Sequence, residues 1–265
     1  MGFADGWVYN PNSLAFARLN SLEQVKRRLL SYYKIKRLKC EGDHFILETD
    51  DAREKFINLL DLHDNDVTTV SNTYNSVFDE MPEKPSPLFD KNTFNLLTIS
   101  AHYPNKNLEI INKVLAHLPS EIKVKFYLTL PNDVFMSIIR KSDRVINLGV
   151  QSINDCPVLL HSCDAVFLPT LLETFSASYP EAMKMNKPIL TSDLSFAKSI
   201  CGEAAEYFNP LDAEDIANKL VSLIGNKTRI EELVKLGRER LKKFPSANQR
   251  ASKYLDICEK FLKKS

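Results

Sequence analysis

The chain has 265 residues, 44% of them hydrophobic, which is enough for one large domain or two smaller ones with buried cores. Its 35 Lys and Arg against 34 Asp and Glu give a formal net charge of +1. A chain this close to neutrality has no overall field that would draw it to nucleic acid or to acidic lipid. We therefore expect no nucleic-acid partner.

The cysteines argue against two kinds of structural site. The chain contains five of them, Cys40, Cys156, Cys163, Cys201 and Cys258, with no C-x-x-C pair. An odd set without a His at ligand spacing indicates neither a disulfide framework nor a zinc site. There is no signal-like N-terminus and no apolar stretch of roughly 18–20 residues that would span a bilayer. We expect a cytoplasmic protein with reduced thiols.

A proline-rich segment divides the chain unequally. Residues 81–87 read M-P-E-K-P-S-P, which is typical of a linker. Before it, the pattern predicts helices over residues 21–40 and 52–60 and strands over 45–49 and 67–70, too few elements to close a Rossmann-type domain. We predict four parts: a partial N-terminal domain (1–78), a linker (79–91), a C-terminal domain (92–245) and a terminal helix (246–265) that packs back toward the first part.

After the linker, apolar strand-like runs alternate with helix-length segments. The predicted strands span residues 94–99, 124–130, 144–148, 165–168, 188–191 and 205–208. The predicted helices span residues 108–118, 133–141, 155–162, 181–185, 197–201 and 213–224. A further helix would open with a capping box of Thr228 and Glu231. This alternation predicts an α/β fold with a Rossmann-like parallel sheet, whose ligands bind beyond the carboxyl ends of the strands.

The segment from residue 169 to 183, P-T-L-L-E-T-F-S-A-S-Y-P-E-A-M, joins a predicted strand to a predicted helix. A loop in that position presents unpaired backbone N–H groups that suit a diphosphate. Small residues at Ser176 and Ala177 would allow close approach, and Glu173 and Glu181 could accept hydrogen bonds from sugar hydroxyls. Taken alone, the residues indicate only a polar site at a strand end, since Glu at a helix start is also favoured by the helix dipole.

The whole string resembles the E-x7-E motif of the retaining glycosyltransferases called group 1 or family four, which have the two-Rossmann-domain GT-B fold. Glu173, Phe175, Glu181 and Ala182 match the motif, while Thr174 and Ser176 replace its two glycines. Further similarities follow in order along nearly the whole chain, at residues 47–49, 70–72, 103–107, 145–149, 161–165, 186–193 and 209–212. Residues 1–78 resemble only the latter part of the family's N-terminal domain.

The resemblance implies roles for individual residues. Lys106 and Glu173 would be catalytic, with Lys106 on the donor diphosphate and Glu173 on the hydroxyls of the transferred sugar. The donor would also contact Thr174, Phe175, Ser176, Ala177, Glu181 through its ribose, and Gly149 near its base. The family's Arg shortly before the Lys is replaced here by Ala101 or His102. No cofactor and no metal are implied, because the nucleotide sugar is a substrate and no Asp-x-Asp cluster occurs in the second half.

The implied function is transfer of a sugar from a nucleotide-sugar donor, with retention, to a glycan or lipid-linked acceptor in surface polysaccharide synthesis. Two alternatives remain open: a sugar-nucleotide epimerase on the same fold, and a non-catalytic nucleotide-sugar-binding fragment or subunit. The basic run within residues 26–39 is interpreted as a solvated helix face. Its alternative is a peripheral contact with an anionic membrane beside a lipid-linked acceptor.

Overall fold

A computed structural model describes residues 1–262, so the last three positions of the predicted segment 246–265 lie outside the described residues. The helices in this range are α1 (Gly6–Tyr9), α2 (Ser21–Glu41), α3 (Asp50–Leu60), α4 (Ile111–His117), α5 (Asn132–Ile138), α6 (Cys156–Ser162), α7 (Ser178–Lys184), α8 (Ser195–Cys201), α9 (Ala213–Ile224), α10 (Lys227–Leu241) and α11 (Ala247–Leu262). The strands are β1 (Phe45–Leu47), β2 (Val67–Thr69), β3 (Phe94–Thr98), β4 (Val124–Leu128), β5 (Val145–Asn147), β6 (Ala165–Leu168), β7 (Ile189–Ser192) and β8 (Glu206–Phe208). The predicted α/β class is confirmed.

Six parallel strands form one sheet in the second half of the chain, in the order β5-β4-β3-β6-β7-β8. The chain runs outward from β3 through β4 to β5, returns to β6 beside β3, and then runs outward the other way to β8. The strand order therefore reverses between β3 and β6. In open parallel sheets, the crevice beyond the carboxyl ends at such a reversal is the usual ligand site.

Both faces of this sheet are buried, because successive side chains of a strand point to opposite faces. Leu97 and Val166 belong to a core cluster that includes side chains of α6, α7 and α8. Their neighbours Leu96 and Phe167 belong to a second cluster with side chains of α4 and α9. The sheet is thus a central layer with helices on each side, which fixes the carboxyl ends of its strands rigidly.

The first part of the chain forms a smaller parallel arrangement with its own core. Phe45 pairs with Val67, and Gly2 forms a further parallel bridge to Ile46. Phe45 also packs in a cluster with residues of α3, a helix that Thr49 caps by accepting a hydrogen bond from a backbone N–H of its first turn. The division into the four predicted parts is not tested by these contacts and stays a prediction.

Helix α11 lies against this first part. Arg250 Nη2 lies 3.2 Å from Glu48 Oε1, and the ring of Phe261 lies 4.8 Å from that of His44. Leu255, also on this helix, is 64% exposed. The helix therefore packs against the first part of the chain along only part of its surface.

Helix α2 presents apolar side chains to solvent. Asn20 caps it by accepting from the backbone N–H of Glu23, and Leu38 is its buried residue. Leu22 and Tyr32, which share one face by their spacing, are 80% and 70% exposed.

In residues 1–262, none of the helices combines the length and the hydropathy needed to cross a membrane.

The predicted capping box of Thr228 and Glu231 is wrong. Helix α10 begins at Lys227, and its cap is Asn226, whose side chain accepts from the backbone N–H of Arg229. Asn is among the strongest N-cap residues, so it takes the position and leaves Thr228 inside the first turn.

Candidate functional site

Two side chains that are distant in sequence meet at the crevice between β3 and β6. Lys106 lies beyond the end of β3 and Glu173 beyond the end of β6, and the Lys106 ammonium donates a hydrogen bond to the Glu173 carboxylate. Their side chains keep only 20% and 16% of their surfaces exposed. The structure therefore brings the two residues predicted to be catalytic into contact at the point where the strand order reverses.

Asparagine side chains and backbone groups hold the two loops together. The Leu171 N–H donates to the Asn105 carbonyl at 2.7 Å, and Asn105 Nδ2 donates to the Leu172 carbonyl at 2.9 Å. Asn107 is fully buried with a φ of 55°, a left-handed conformation that Asn tolerates better than most residues. Its amide donates to two carbonyls of neighbouring loops. These contacts fix Lys106 opposite Glu173.

The segment between Glu173 and α7 has a buried anchor and free backbone donors. Phe175 is 8% exposed, and its ring centroid lies 6.0 Å from that of Phe244. The backbone N–H groups of Ser176 and Ala177 donate to no acceptor within the described residues. Unpaired backbone donors favour an anionic ligand.

Glu181 lies in the first turn of α7 and lines a cleft of about 840 Å³. Residues 72–76, Ile153 and Tyr254 also line this cleft, which therefore separates the first part of the chain and α11 from the central sheet domain. Burial raises the pKa of the Glu181 carboxyl to about 7. Near neutral pH this carboxyl can therefore act as either a donor or an acceptor to a hydroxyl-bearing ligand.

Gly149 follows β5 with a φ of 72°, which glycine adopts without strain. The next residues, Val150 and Gln151, line a second cleft of about 400 Å³ together with His102 and neighbouring residues after β3. His102 Nε2 lies 3.3 Å from Glu109 Oε1. His102, which stands near the position of the family's Arg, thus contacts Glu109 and not Glu173, the carboxylate that pairs with Lys106.

Glu48, directly after β1, was missed by reasoning from the sequence. Its carboxylate accepts hydrogen bonds from Asn72 at 2.9 Å, Thr174 at 3.3 Å and Arg250 at 3.2 Å. Burial raises the pKa of Glu48, although Arg250 and the two other donors oppose the shift. A carboxylate at the end of an apolar strand is a weak signal, and its partners lie too far along the chain to be identified from spacing.

The arrangement is suited to a phosphorylated, hydroxyl-rich ligand. One ammonium and two free N–H groups can bind phosphate oxygens, while the carboxyl groups of Glu173 and Glu181 can bind hydroxyls. No cluster of three or more His, Cys, Asp or Glu suited to hold a metal ion occurs in residues 1–262.

Comparison of the sequence with known proteins identifies relatives. Serotype-specific mannosyltransferase WbdA of Escherichia coli is 23% identical over 224 residues, which cover 78% of this chain and 28% of the relative. A second WbdA sequence from the same species is 24% identical over 224 residues, again 78% of this chain and 28% of the relative. The chain thus spans little more than a quarter of the length of these relatives.

Solved structures share the fold. Sucrose-phosphate synthase from Thermosynechococcus elongatus superposes with a TM-score of 0.77 at 15% identity, covering all of this chain and 68% of that one. Anabaena HepE, in complex with UDP and glucose, gives 0.72 at 17% identity, covering 86% and 66%. Residues 93–226, just over half of the 265, match the family described as "Glycosyl transferases group 1". This chain therefore belongs to the group 1 glycosyltransferases.

Proposed function

We propose that this chain carries the donor site of a retaining glycosyltransferase and binds a nucleoside diphosphate sugar in the crevice between β3 and β6. The observation that carries the proposal is the contact of Lys106 with Glu173 at the reversal of strand order. Family membership supports it, because the matched region contains both residues.

In this proposal each residue contacts the portion of the donor that its chemistry suits. Lys106 and the N–H groups of Ser176 and Ala177 bind the diphosphate, and Glu173 then binds hydroxyls of the transferred sugar. Glu181 binds the ribose, and the base lies beside Gly149. Lys106 would contribute most in the transition state, since negative charge grows on the diphosphate as it departs.

Retention is part of the proposal and rests on the family resemblance. An oxygen of the donor's own phosphate would take the proton of the attacking hydroxyl, so the cleft needs no dedicated carboxylate base. The chain's residues would hold the sugar and stabilise the leaving group. Incubation with a nucleotide sugar and acceptor, followed by NMR of the product, tests this point: an inverted anomeric centre contradicts it.

The acceptor proposed is a glycan or lipid-linked glycan of a surface polysaccharide. The support is the named functions of similar proteins, since WbdA is a serotype-specific mannosyltransferase and WaaG is described as involved in lipopolysaccharide biosynthesis. WaaG superposes with a TM-score of 0.72 at 14% identity, covering 90% of this chain and 69% of that one.

Isothermal titration calorimetry with UDP, GDP and ADP tests the donor site. We expect one nucleotide to bind, and we expect Lys106→Ala and Glu181→Gln each to weaken it by about tenfold or more, since each removes a charged partner worth about 1.5–3 kcal/mol. Glu121→Gln is the matched control, because Glu121 is exposed and precedes β4 at the opposite edge of the sheet.

Two outcomes of the titration would count against the proposal. Absence of binding by all three nucleotides would reject a donor site in this chain. Binding that survives both Lys106→Ala and Glu181→Gln unchanged would place the nucleotide elsewhere.

A further inference from the structure

The solvent-facing side of α2 carries an apolar stripe. Leu22, Val25, Leu29, Tyr32 and Tyr33 are all exposed, by 55% to 80%. At 100° per residue these five side chains fall within about a third of the helix circumference. They lie opposite the buried Leu38, on the side that contacts no core. A helix in an ordinary surface position would place polar residues on that side.

Basic side chains line both edges of the stripe. Lys26 and Arg37 follow one edge, and Arg28 and Lys39 follow the other, by the same helical spacing. Lys36 lies within the stripe, where its long stem can carry the ammonium past the apolar surface. The helix as a whole has seven basic residues against two acidic ones, so its charge contrasts with the near-neutral chain.

Much of this basic charge is free to meet an external anion. Arg37 pairs with Glu41 inside the helix. Lys26, Lys36 and Lys39 form no ion pair within residues 1–262. All three are exposed. The surface therefore combines an apolar centre with unpaired cations at its edges.

We propose that α2 is an interfacial helix that docks this protein, along the α2 stripe, on an anionic lipid surface. A helix of 21 residues, about 30 Å long, can lie along a lipid surface, with its apolar residues among the acyl chains and its cations among the headgroups. Tyr32 and Tyr33 suit the headgroup boundary because each ring is apolar with a polar tip. This surface is separate from the proposed donor site and does not depend on it.

The charge pattern disfavours a second copy of the chain as the occupant. Two copies joined along this stripe would bring two strongly basic helices side by side. The stripe is also convex, whereas a protein partner that binds one helix face usually supplies or occupies a groove. A lipid surface meets both the shape and the charge.

Sedimentation with vesicles tests the proposal. We expect the wild-type chain to bind vesicles of 70% phosphatidylcholine and 30% phosphatidylglycerol and not pure phosphatidylcholine. Leu29→Glu/Tyr32→Glu and Lys26→Glu/Lys36→Glu/Lys39→Glu should each lower vesicle binding by about tenfold or more. Circular dichroism and thermal unfolding check that the variants fold, which we expect because every changed residue is exposed.

Matched variants on the sheet domain serve as controls. Lys113→Glu/Lys141→Glu/Lys235→Glu changes the net charge by the same amount at three exposed positions and should leave vesicle binding unchanged. Absence of wild-type binding to the anionic vesicles would overturn the proposal, as would an equal loss in this control. Binding that falls with the lysine variant but not with Leu29→Glu/Tyr32→Glu would also overturn it, since the apolar stripe would then have no part. A dimer in sedimentation velocity that only the α2 variants dissociate, without vesicle binding, would assign the surface to a second copy.

Discussion

The hydroxyl of Thr174 donates a hydrogen bond to the carboxylate of Glu48 at 3.3 Å, although 126 positions separate the two residues. The same carboxylate accepts from Arg250 of α11 and from Asn72. One partly buried acid thus joins the first part of the chain, the loop that follows Glu173, and the terminal helix. This relationship makes Glu48 a positioning residue for that loop.

We predict that Glu48→Ala lowers the free energy of unfolding by about 1–3 kcal/mol, because it leaves Arg250 and Asn72 without their acceptor. Urea unfolding followed by circular dichroism measures it. Glu54→Ala on the exposed side of α3 is the control and should stay within about 0.5 kcal/mol. Equal effects of the two substitutions would mean that the Glu48 contacts do not contribute to the free energy of unfolding.

Lys106 and Glu173 should be energetically coupled. In a double-mutant cycle of Lys106→Ala and Glu173→Gln, we expect a coupling energy of about 0.5–2 kcal/mol in urea unfolding, because both side chains are mostly buried. Strict additivity would contradict the ion pair.

The buried Asn107 should affect nucleotide binding. Asn107→Ala removes the side-chain amide that fixes the turn beside Lys106, and we expect nucleotide affinity to fall as a result.

Ligand affinity should depend on pH through Glu181. Burial raises the pKa of this carboxyl to about 7, whereas ribose hydroxyls are bound better by the ionised form. Affinity for a nucleotide sugar, whose diphosphate does not titrate in this range, should rise about tenfold from pH 6 to pH 8. The free energy of unfolding should fall as the pH rises from about 4.5 to about 7 and then level off, because the folded state holds this proton more tightly than the unfolded chain does.

Glu181→Gln is the test of both effects. Calorimetry at several pH values should give a flat affinity profile for this variant, and its unfolding free energy should lose the slope between about pH 4.5 and 7. A pH dependence that persists in Glu181→Gln would assign it to another group.

The thiols should fall into two classes. Cys40 and Cys258 are exposed, whereas the other three cysteines are buried. Burial raises the pKa of Cys156 to about 11 and that of Cys163 to about 12, so neither forms thiolate near neutrality. Ellman's reagent should titrate two thiols rapidly in the native protein and five after unfolding. Rapid reaction of three or more native thiols would contradict the described packing.

The sheet of the second half was predictable because its strands are short apolar runs buried on both faces and separated by segments of helix length. Val124 to Leu128 and Ala165 to Leu168 are examples. Which strands are neighbours was not predicted, since apolar runs carry no information on order. The contact of Lys106 with Glu173 depends on β3 lying beside β6, and only the structure shows it.

Three other differences between prediction and structure have physical reasons. Thr228 and Glu231 have capping-box spacing, but Asn226 provides a competing cap two residues earlier. The periodicity of Leu22, Val25 and Leu29 marks one helix face and does not say whether a core covers it. Glu48 gave only a weak signal, because its three partners come from three distant segments.

The most direct test of the account is a crystal structure of this chain with the nucleotide that binds it. We predict density for a diphosphate within hydrogen-bond distance of Lys106 Nζ and of the backbone N–H groups of Ser176 and Ala177, with the ribose against Glu181. Density at another surface, or a nucleotide that leaves Lys106 and Glu181 uncontacted, would contradict the assignment of the donor site.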